Sequence, residues 1–258
     1  MSANTVLEYL LCGYNQLTSL DVSSNTALMD LNCESNQLTS LDVSANTSLI
    51  TLACHSNQLT SLDVSSNTAL TGLWCNSNSL TSLDVSTNTS LTSLRCYDNQ
   101  LTSLDVSANT ALTLLTCSIN ELTALDVSNN TALTTLYCRS NQLTALDVSA
   151  NTALTYLNCR NNQLTYLNMK NGVTDALTTF NATNNDSLEC IETLDTTYAT
   201  ENWTYENGNI DLGVTFAVNC TPGHTYVPDD NFEQALIDLG YDDVLNDSVL
   251  TANISSIT

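Results

Sequence analysis

The sequence predicts a mainly β fold, a right-handed parallel solenoid. Two observations carry that prediction. Cys12, Cys33, Cys54, Cys75, Cys96, Cys117, Cys138 and Cys159 recur every 21 residues, and a fixed period of this length marks coils stacked on their neighbours. Within one period, Leu28-x-x-Leu31-x-Cys33-x-x-Asn36-x-Leu38-x-x-Leu41-x-Val43-x-x-Asn46 splits into two halves of the form L-x-x-L-x-[CV]-x-x-N. Each half contains the short apolar–polar alternation of a strand.

In the first half Leu31 and Cys33 point inward, which sends Asp30, Asn32 and Glu34 outward. In the second half Leu41 and Val43 are inside while Ser40, Asp42 and Ser44 face solvent. Eight coils at roughly 4.8 Å each make a slab roughly 40 Å long, flanked by two parallel sheets. The pattern then changes. Asn168-Met169-Lys170 stands where earlier coils carry Asp-Val-Ser, the step from Leu154 to Leu177 is 23 residues, and Leu177-x-x-Phe180-x-Ala182-x-x-Asn185-x-x-Leu188 is a modified final coil. Atypical terminal repeats are what capping requires.

The chain divides accordingly. Residues 1–188 form the solenoid of 21-residue coils. Residues 189–220, with Trp203, Tyr205 and Phe216 among polar residues, read as a C-terminal cap. Residues 221–258 form an acidic segment in which Phe232, Ala235, Leu236 and Leu239 share one helical face that ends at Gly240. From Asn171 onward there are 15 acidic residues and no Lys or Arg, an asymmetry that fits a separate module. Met1-Ser2-Ala3-Asn4 runs into the first coil without the basic flank or apolar core of a signal peptide. With an uncapped first coil, that predicts a chain cut from a longer protein.

Eight cysteines occupy one inward position of successive coils. Their Cα atoms fall within disulfide reach, but side chains pointing the same way from in-register strands do not reach the required dihedral. They are therefore expected to be buried, unpaired thiols that pack as small apolar groups, a role that Ala182 fills in the final coil. The short paired spacings of zinc sites are absent. Cys190 and Cys220 bracket a non-repeat segment and are expected to form a disulfide.

The coil pattern resembles the leucine-rich-repeat family, in particular the short bacterial class with a Cys-bearing first half, over about Leu7 to Leu188. That resemblance implies a non-enzymatic recognition scaffold, secreted or on the cell surface, with the ligand left open. Val227-Pro228-Asp229-x-Asn231-Phe232-Glu233-x-Ala235-Leu236-Ile237-Asp238-Leu239-Gly240 is similar to the N-terminal caps that introduce a new array in related bacterial proteins. The sequence stops at Ile257-Thr258, where such an array would begin.

Charge narrows the function. Four basic residues stand against 27 acidic ones, a formal net charge of -23. Such a chain repels nucleic-acid phosphates and anionic membranes, and no basic stripe compensates. No apolar run is long enough to insert in a membrane. His55 and His224, the two histidines, are expected on exposed scaffold with no motif partner. No strained serine elbow or Gly-rich phosphate loop occurs. Catalytic residues and cofactors are therefore not expected.

The constant columns have structural readings. The ladders running through Asn36 and Asn46 suit turns and can satisfy buried turn amides. Asp42, Asp63, Asp84, Asp105 and Asp126 belong to an outward column in which like charges about 4.8 Å apart repel by roughly 0.9 kcal/mol in water. Either hydration and bonds to flanking Ser and Thr relieve this, or the column is a weak calcium ladder. Variation concentrates on the outward positions of the first-half strands. Trp74, Arg95, Tyr97, Tyr137, Arg139, Tyr156 and Arg160 lie there, including all three arginines, and these residue types dominate binding hot spots. The function expected is a recognition or adhesion scaffold binding a protein or glycan on this face. Its rivals are regular-lattice binding of ice or mineral by the repeated Ser/Asp/Thr face and a spacer without a ligand.

Overall fold

The computed structural model describes residues 4–220, 224–226, 230–242 and 248–250. Nine three-residue strands, one per coil, form a parallel sheet: β1 (Tyr9–Leu11), β2 (Asp30–Asn32), β3 (Thr51–Ala53), β4 (Gly72–Trp74), β5 (Ser93–Arg95), β6 (Leu114–Thr116), β7 (Thr135–Tyr137), β9 (Tyr156–Asn158) and β11 (Thr179–Asn181). From β1 to β9 the register equals the sequence period, so Leu31 pairs with Leu52 and Leu52 with Leu73. Each central leucine from Leu31 to Leu157 is fully buried. The solenoid is thus one continuous core, with every coil sealed by its neighbours.

After each inward cysteine the chain turns through a left-handed residue. Ser35, Ser56, Ser77, Asp98, Ile119, Ser140 and Asn161 have φ between 52° and 58°, a region costly for side chains with a Cβ and most so for a β-branched one such as Ile119. The asparagine is the next residue, and its side chain satisfies a turn amide as expected while also binding carbonyls of two coils. Asn57 Nδ2 donates to the carbonyls of Cys54 (3.1 Å) and, in the preceding coil, Cys33 (3.0 Å), while its Oδ1 accepts from the Leu38 amide (3.0 Å). The same clamp repeats from Asn36 to Asn162. The second ladder is fully buried: Asn88 Nδ2 reaches back to the carbonyls of Val64 (3.0 Å) and Asn67 (2.9 Å). At the first turn these side-chain bonds run beside a ladder of backbone bonds between coils, such as the Ser56 amide to the Asn76 carbonyl (3.0 Å) and the Gln58 amide to the Leu38 carbonyl (2.9 Å), and at the second turn the asparagine side chains reach the coil before.

The second sheet corrects the expectation of pairing along the whole slab. It has four strands, in the order β13 (Thr215–Ala217), β12 (Cys190–Glu192), β10 (Tyr166–Asn168), β8 (Ala145–Asp147). In earlier coils the second half stays extended but unpaired. There the Asp column caps its own coil, as when Asp42 Oδ1 accepts from the Ser44 amide (2.9 Å) and hydroxyl (2.6 Å). The inward leucines record the looser approach: Leu41, Leu62, Leu83, Leu104 and Leu125 keep 7–8% of their surface, against 0–1% for Leu146 and Leu167.

Residues 189–220 extend the core as well as covering it. They supply β12, β13 and helix α1 (Thr196–Asn202), whose first turn is capped by Asp195 accepting from the Tyr198 amide (2.9 Å). Trp203 closes the apolar end with its ring centroid 4.3 Å from Phe180 and 5.9 Å from Phe216. Cys190 and Cys220 are joined by a disulfide, with Cα atoms 5.9 Å apart. Beside it, nearly buried Glu192 takes an ion pair from Lys170 (2.6 Å), the Cys220 amide (3.0 Å) and the Tyr166 hydroxyl (3.3 Å).

Beyond the cap, α2 (Asp230–Asp238) lies with a two-stranded antiparallel pair, β14 (His224–Tyr226) and β15 (Ser248–Leu250). The helix is where the sequence places it, but its buried face is narrower. Leu236 and Glu233 are buried and Leu236 packs with Val249, while Phe232, Ala235 and Leu239 are exposed. Two strands offer too little surface to cover the whole stripe. Val227-Pro228-Asp229 and Ile257-Thr258 lie outside the described residues.

Two outcomes follow from this packing. Desolvation raises the ladder thiols, with Cys33, Cys75, Cys117 and Cys159 pushed up to about 12, so they stay protonated and unreactive. A thiol-reactive dye should label half-buried Cys12 first and the seven fully buried cysteines only after denaturation; rapid native labelling of Cys75 or Cys96 contradicts a dry core. Cys96→Ser should cost about 1–3 kcal/mol in urea unfolding, because it buries a hydroxyl in an apolar column.

For Glu192, burial raises the carboxyl pKa, but the bonds from Lys170, Cys220 and Tyr166 overcome it and hold the group below its ordinary 4.5. The stability it contributes is present above pH 4.5 and is lost as pH falls through the lowered folded value. Glu192→Gln should therefore melt at a lower temperature than the parent at pH 7, with the gap narrowing in acid. A gap that stays constant down to pH 3 contradicts the assignment.

Candidate recognition surface

The outer face of the nine-stranded sheet takes its side chains from the first and third residue of each strand and from the residue after each inward cysteine. The strands hold these columns one coil apart, so neighbouring side chains meet wherever chemistry permits. Trp74 ends β4 and Arg95 ends β5, paired in register. The Arg95 guanidinium carbon stands 5.2 Å from the centre of the Trp74 ring, a cation–π contact. On its other side the indole rests over bare backbone: a Cβ at Gly72 would lie 3.9 Å from Trp74 Nε1. The buried indole N–H has no protein acceptor among the described residues.

Tyr137 and Tyr156 form a second pair, with ring centroids 4.4 Å apart. Burial first, and then the hydrogen bond with Tyr156, push the Tyr137 phenol up to about 12, so it remains protonated and able to donate at neutral pH. Between the pairs lies β6, which presents Leu114 and Thr116. The hydroxyls of Thr116 and Ser118 and Nε of Arg160 are also buried on this face without a protein partner. Buried polar groups without partners are uncommon in folded proteins.

Tyr97, Arg139 and Arg160 sit in the column just past the strand ends. Among the described residues they make no ring or ion-pair contact with the two aromatic pairs. The seven candidate residues thus share one face, but only four of them pack as pairs.

One contact was missed at the sequence level. His55, expected on exposed scaffold, is half-buried and its Nε2 meets the Glu34 carboxylate. The signal was in the period itself, since positions 34 and 55 are one coil apart in the same column. Glu34 also folds back over the first coil, where a Cβ at Gly13 would approach its Cγ to 2.9 Å. The side chain of His224 lies outside the described residues.

The Asp column occupies the opposite, second-half side. The Ser44 hydroxyl and amide hold the Asp42 carboxyl below its ordinary range, and Asp63 and Asp105 are lowered the same way by Ser65 and Ser107. Each carboxylate is thus engaged within its own coil. Among the described residues no three His, Cys, Asp or Glu side chains converge as metal ligands. No described helix is long and apolar enough to cross a membrane.

With this geometry in view, comparisons with known proteins fall into place. Residues 131–176 match the family model for leucine-rich repeats, two copies. The functional domain of InlJ from Listeria monocytogenes, whose structure includes a cysteine ladder, is 40% identical; the match covers 78% of this chain and 49% of that one, with a TM-score of 0.66. A leucine-rich-repeat protein of Leptospira interrogans is 23% identical over 74% of this chain and 56% of its own, with a TM-score of 0.63. The ectodomain of the Arabidopsis thaliana receptor kinase GASSHO1/SCHENGEN3, solved in complex with Casparian strip integrity factor 2, is 20% identical over 85% of this chain and 30% of its own, with a TM-score of 0.65. The likeness to the last two is one of fold. The chain spans about half the length of the two bacterial structures, and no curated protein sequence matches it. The 21-residue coil, the buried cysteine column and the likeness to InlJ make this chain a leucine-rich-repeat protein of the short, cysteine-containing class.

Proposed function

We propose that the protein is a non-enzymatic recognition scaffold that captures a protein ligand on the outer face of the nine-stranded sheet. The observation that carries this reading is the concentration of Arg95, Arg139 and Arg160, every arginine in the chain, on one face with Trp74 and the Tyr137–Tyr156 pair. None of these side chains is needed by the leucine and cysteine core. Arg and aromatic residues carry most interface energy, and their stacking here reduces the side-chain entropy lost on binding.

The rest of the molecule favours the same reading over its rivals. A flat lattice-matching face needs uninterrupted small hydroxyls, whereas the second-half side is broken from Asp21 to Asp147, once per coil, by a carboxylate bonded to its own serine. A bare spacer gives no reason for stacked, partly desolvated donors on one side. The disulfide between Cys190 and Cys220 suits an oxidising compartment, which supports secretion or display at a cell surface. Glycan capture is the second reading, favoured by a separate cleft treated below.

Replacing Trp74, Arg95 and Tyr137 with Ala should leave the melting temperature nearly unchanged, yet weaken capture from a panel of surface-protein ectodomains by at least ~2 kcal/mol, about 30-fold. Replacing exposed Ser61, Ser82 and Ser103 with Ala on the other side should have no effect. Equal capture by both variants removes the outer face as the site.

A further inference from the structure

Where the nine-stranded sheet ends, the outward columns change from large to small. β11 presents Thr179 beside Tyr156 and Asn181 beside Asn158. The cap then docks along the free edge of β11: the Ala182 amide donates to the Asn209 carbonyl (2.7 Å), and Asn209 Nδ2 donates to the Phe180 carbonyl (2.8 Å). Between the last strands and this segment lies a cleft of about 500 Å³, with Trp203 among its lining residues. That is within the roughly 300–1,000 Å³ of small-ligand sites.

The chemistry of the lining is narrow. It contains amides, hydroxyls and aromatic rings, and no Asp, Glu, Lys, Arg or His, in a chain that has 27 acidic residues. Two of its amides are oriented by the backbone. Asn158 Oδ1 accepts from the Arg160 amide (3.3 Å), and Asn181 Oδ1 accepts from the Thr183 amide (3.0 Å) and hydroxyl (2.8 Å). Each Nδ2 is left as a donor with no partner among the described residues. Tyr156, stacked on Tyr137 from one side, lines the cleft as an aromatic wall.

We propose that this cleft binds a neutral saccharide, one or two sugar rings at the end of a glycan. A charged ligand would find no counter-charge there and would be desolvated at a cost. An apolar ligand would strand the amide donors. Sugar hydroxyls both donate and accept, and so match a surface of amides and hydroxyls, while the C–H face of a pyranose packs on the electron-rich face of an aromatic ring. The site is distinct from the protein-binding face proposed above, which it meets only at Tyr156, and it does not depend on that proposal.

The test is titration of the full chain with lactose, cellobiose, chitobiose and mannobiose, each neutral, beside sialyl-lactose and sulfated lactose, followed by calorimetry. Asn158→Asp keeps the acceptor for the Arg160 amide and replaces the donor with a carboxylate; Thr179→Glu places a charge at the mouth. At least one neutral disaccharide should bind saturably, both variants should lose at least ~10-fold in affinity with unchanged melting, and Trp74→Ala should bind the sugar as the parent does. Four results overturn the proposal: no neutral disaccharide bound, preference for the sialylated or sulfated sugars, sugar binding retained by both cleft variants, or sugar binding abolished by Trp74→Ala alone. The last would move glycan capture to the outer face. A failed protein capture with intact sugar binding would instead count against the function proposed for that face alone.

Discussion

The bond on which the rest of the molecule depends runs from an asparagine side chain to the backbone of the coil before it. Each coil is too small to bury its own leucines, so it is stable only against a neighbour. Stacking alone would leave the cysteine carbonyls of the first turn without donors, and buried polar groups of that kind are costly. Asn57, Asn78 and Asn99 solve this, each spending its Nδ2 on carbonyls of two coils, while Asn67, Asn88 and Asn109 at the other turn each donate to two carbonyls of the preceding coil. The left-handed residues before the first ladder are tolerated because these bonds over-determine the turn.

With both turns and the inward columns assigned to holding the stack, the outer face of the strands is released from structural duty. That separation explains why sequence drift, aromatic pairs and all arginines gather there, and why the second-half side remains monotonous. In the latter, Asp and Ser cap their own coil, so changing either alters the turn. In the former, Trp74 and Arg95 contact each other and the backbone of Gly72, and a change alters only the surface.

Much of this was legible in the sequence because the period is a distance. Residues 21 apart are strand neighbours, so the cysteine core, the two asparagine ladders and the membership of the outer face could be read directly, and the pairing of Glu34 with His55 could have been. What could not be read depended on position within the coil at finer scale. The left-handed residue is the variable one before Asn36, because its conformation is imposed by the clamp and not by its own side chain. The second sheet does not pair until Ala145, although Asp147 carries the same bond to its own serine as the earlier coils do, and alternation alone does not report a partner. The cleft at the array's end lies between the last strands, β9 and β11, and the segment formed by α1 and residues 203–209, and that segment has no period to read.

The central claim is that the side-chain clamps are needed, beside the backbone pairing, to hold the coils together. Urea unfolding of Asn99→Ala tests it most directly, since Asn99 bridges the Cys75 and Cys96 carbonyls and the Leu80 amide in mid-array and meets the outer-face residues only through the Tyr97 carbonyl (3.4 Å). The account predicts a loss of at least ~2 kcal/mol, the scale of several buried polar groups left without partners, with faster hydrogen exchange at the Leu80 amide. A change within about 0.5 kcal/mol, as for an ordinary surface substitution, with Leu80 exchange unaltered, would contradict it.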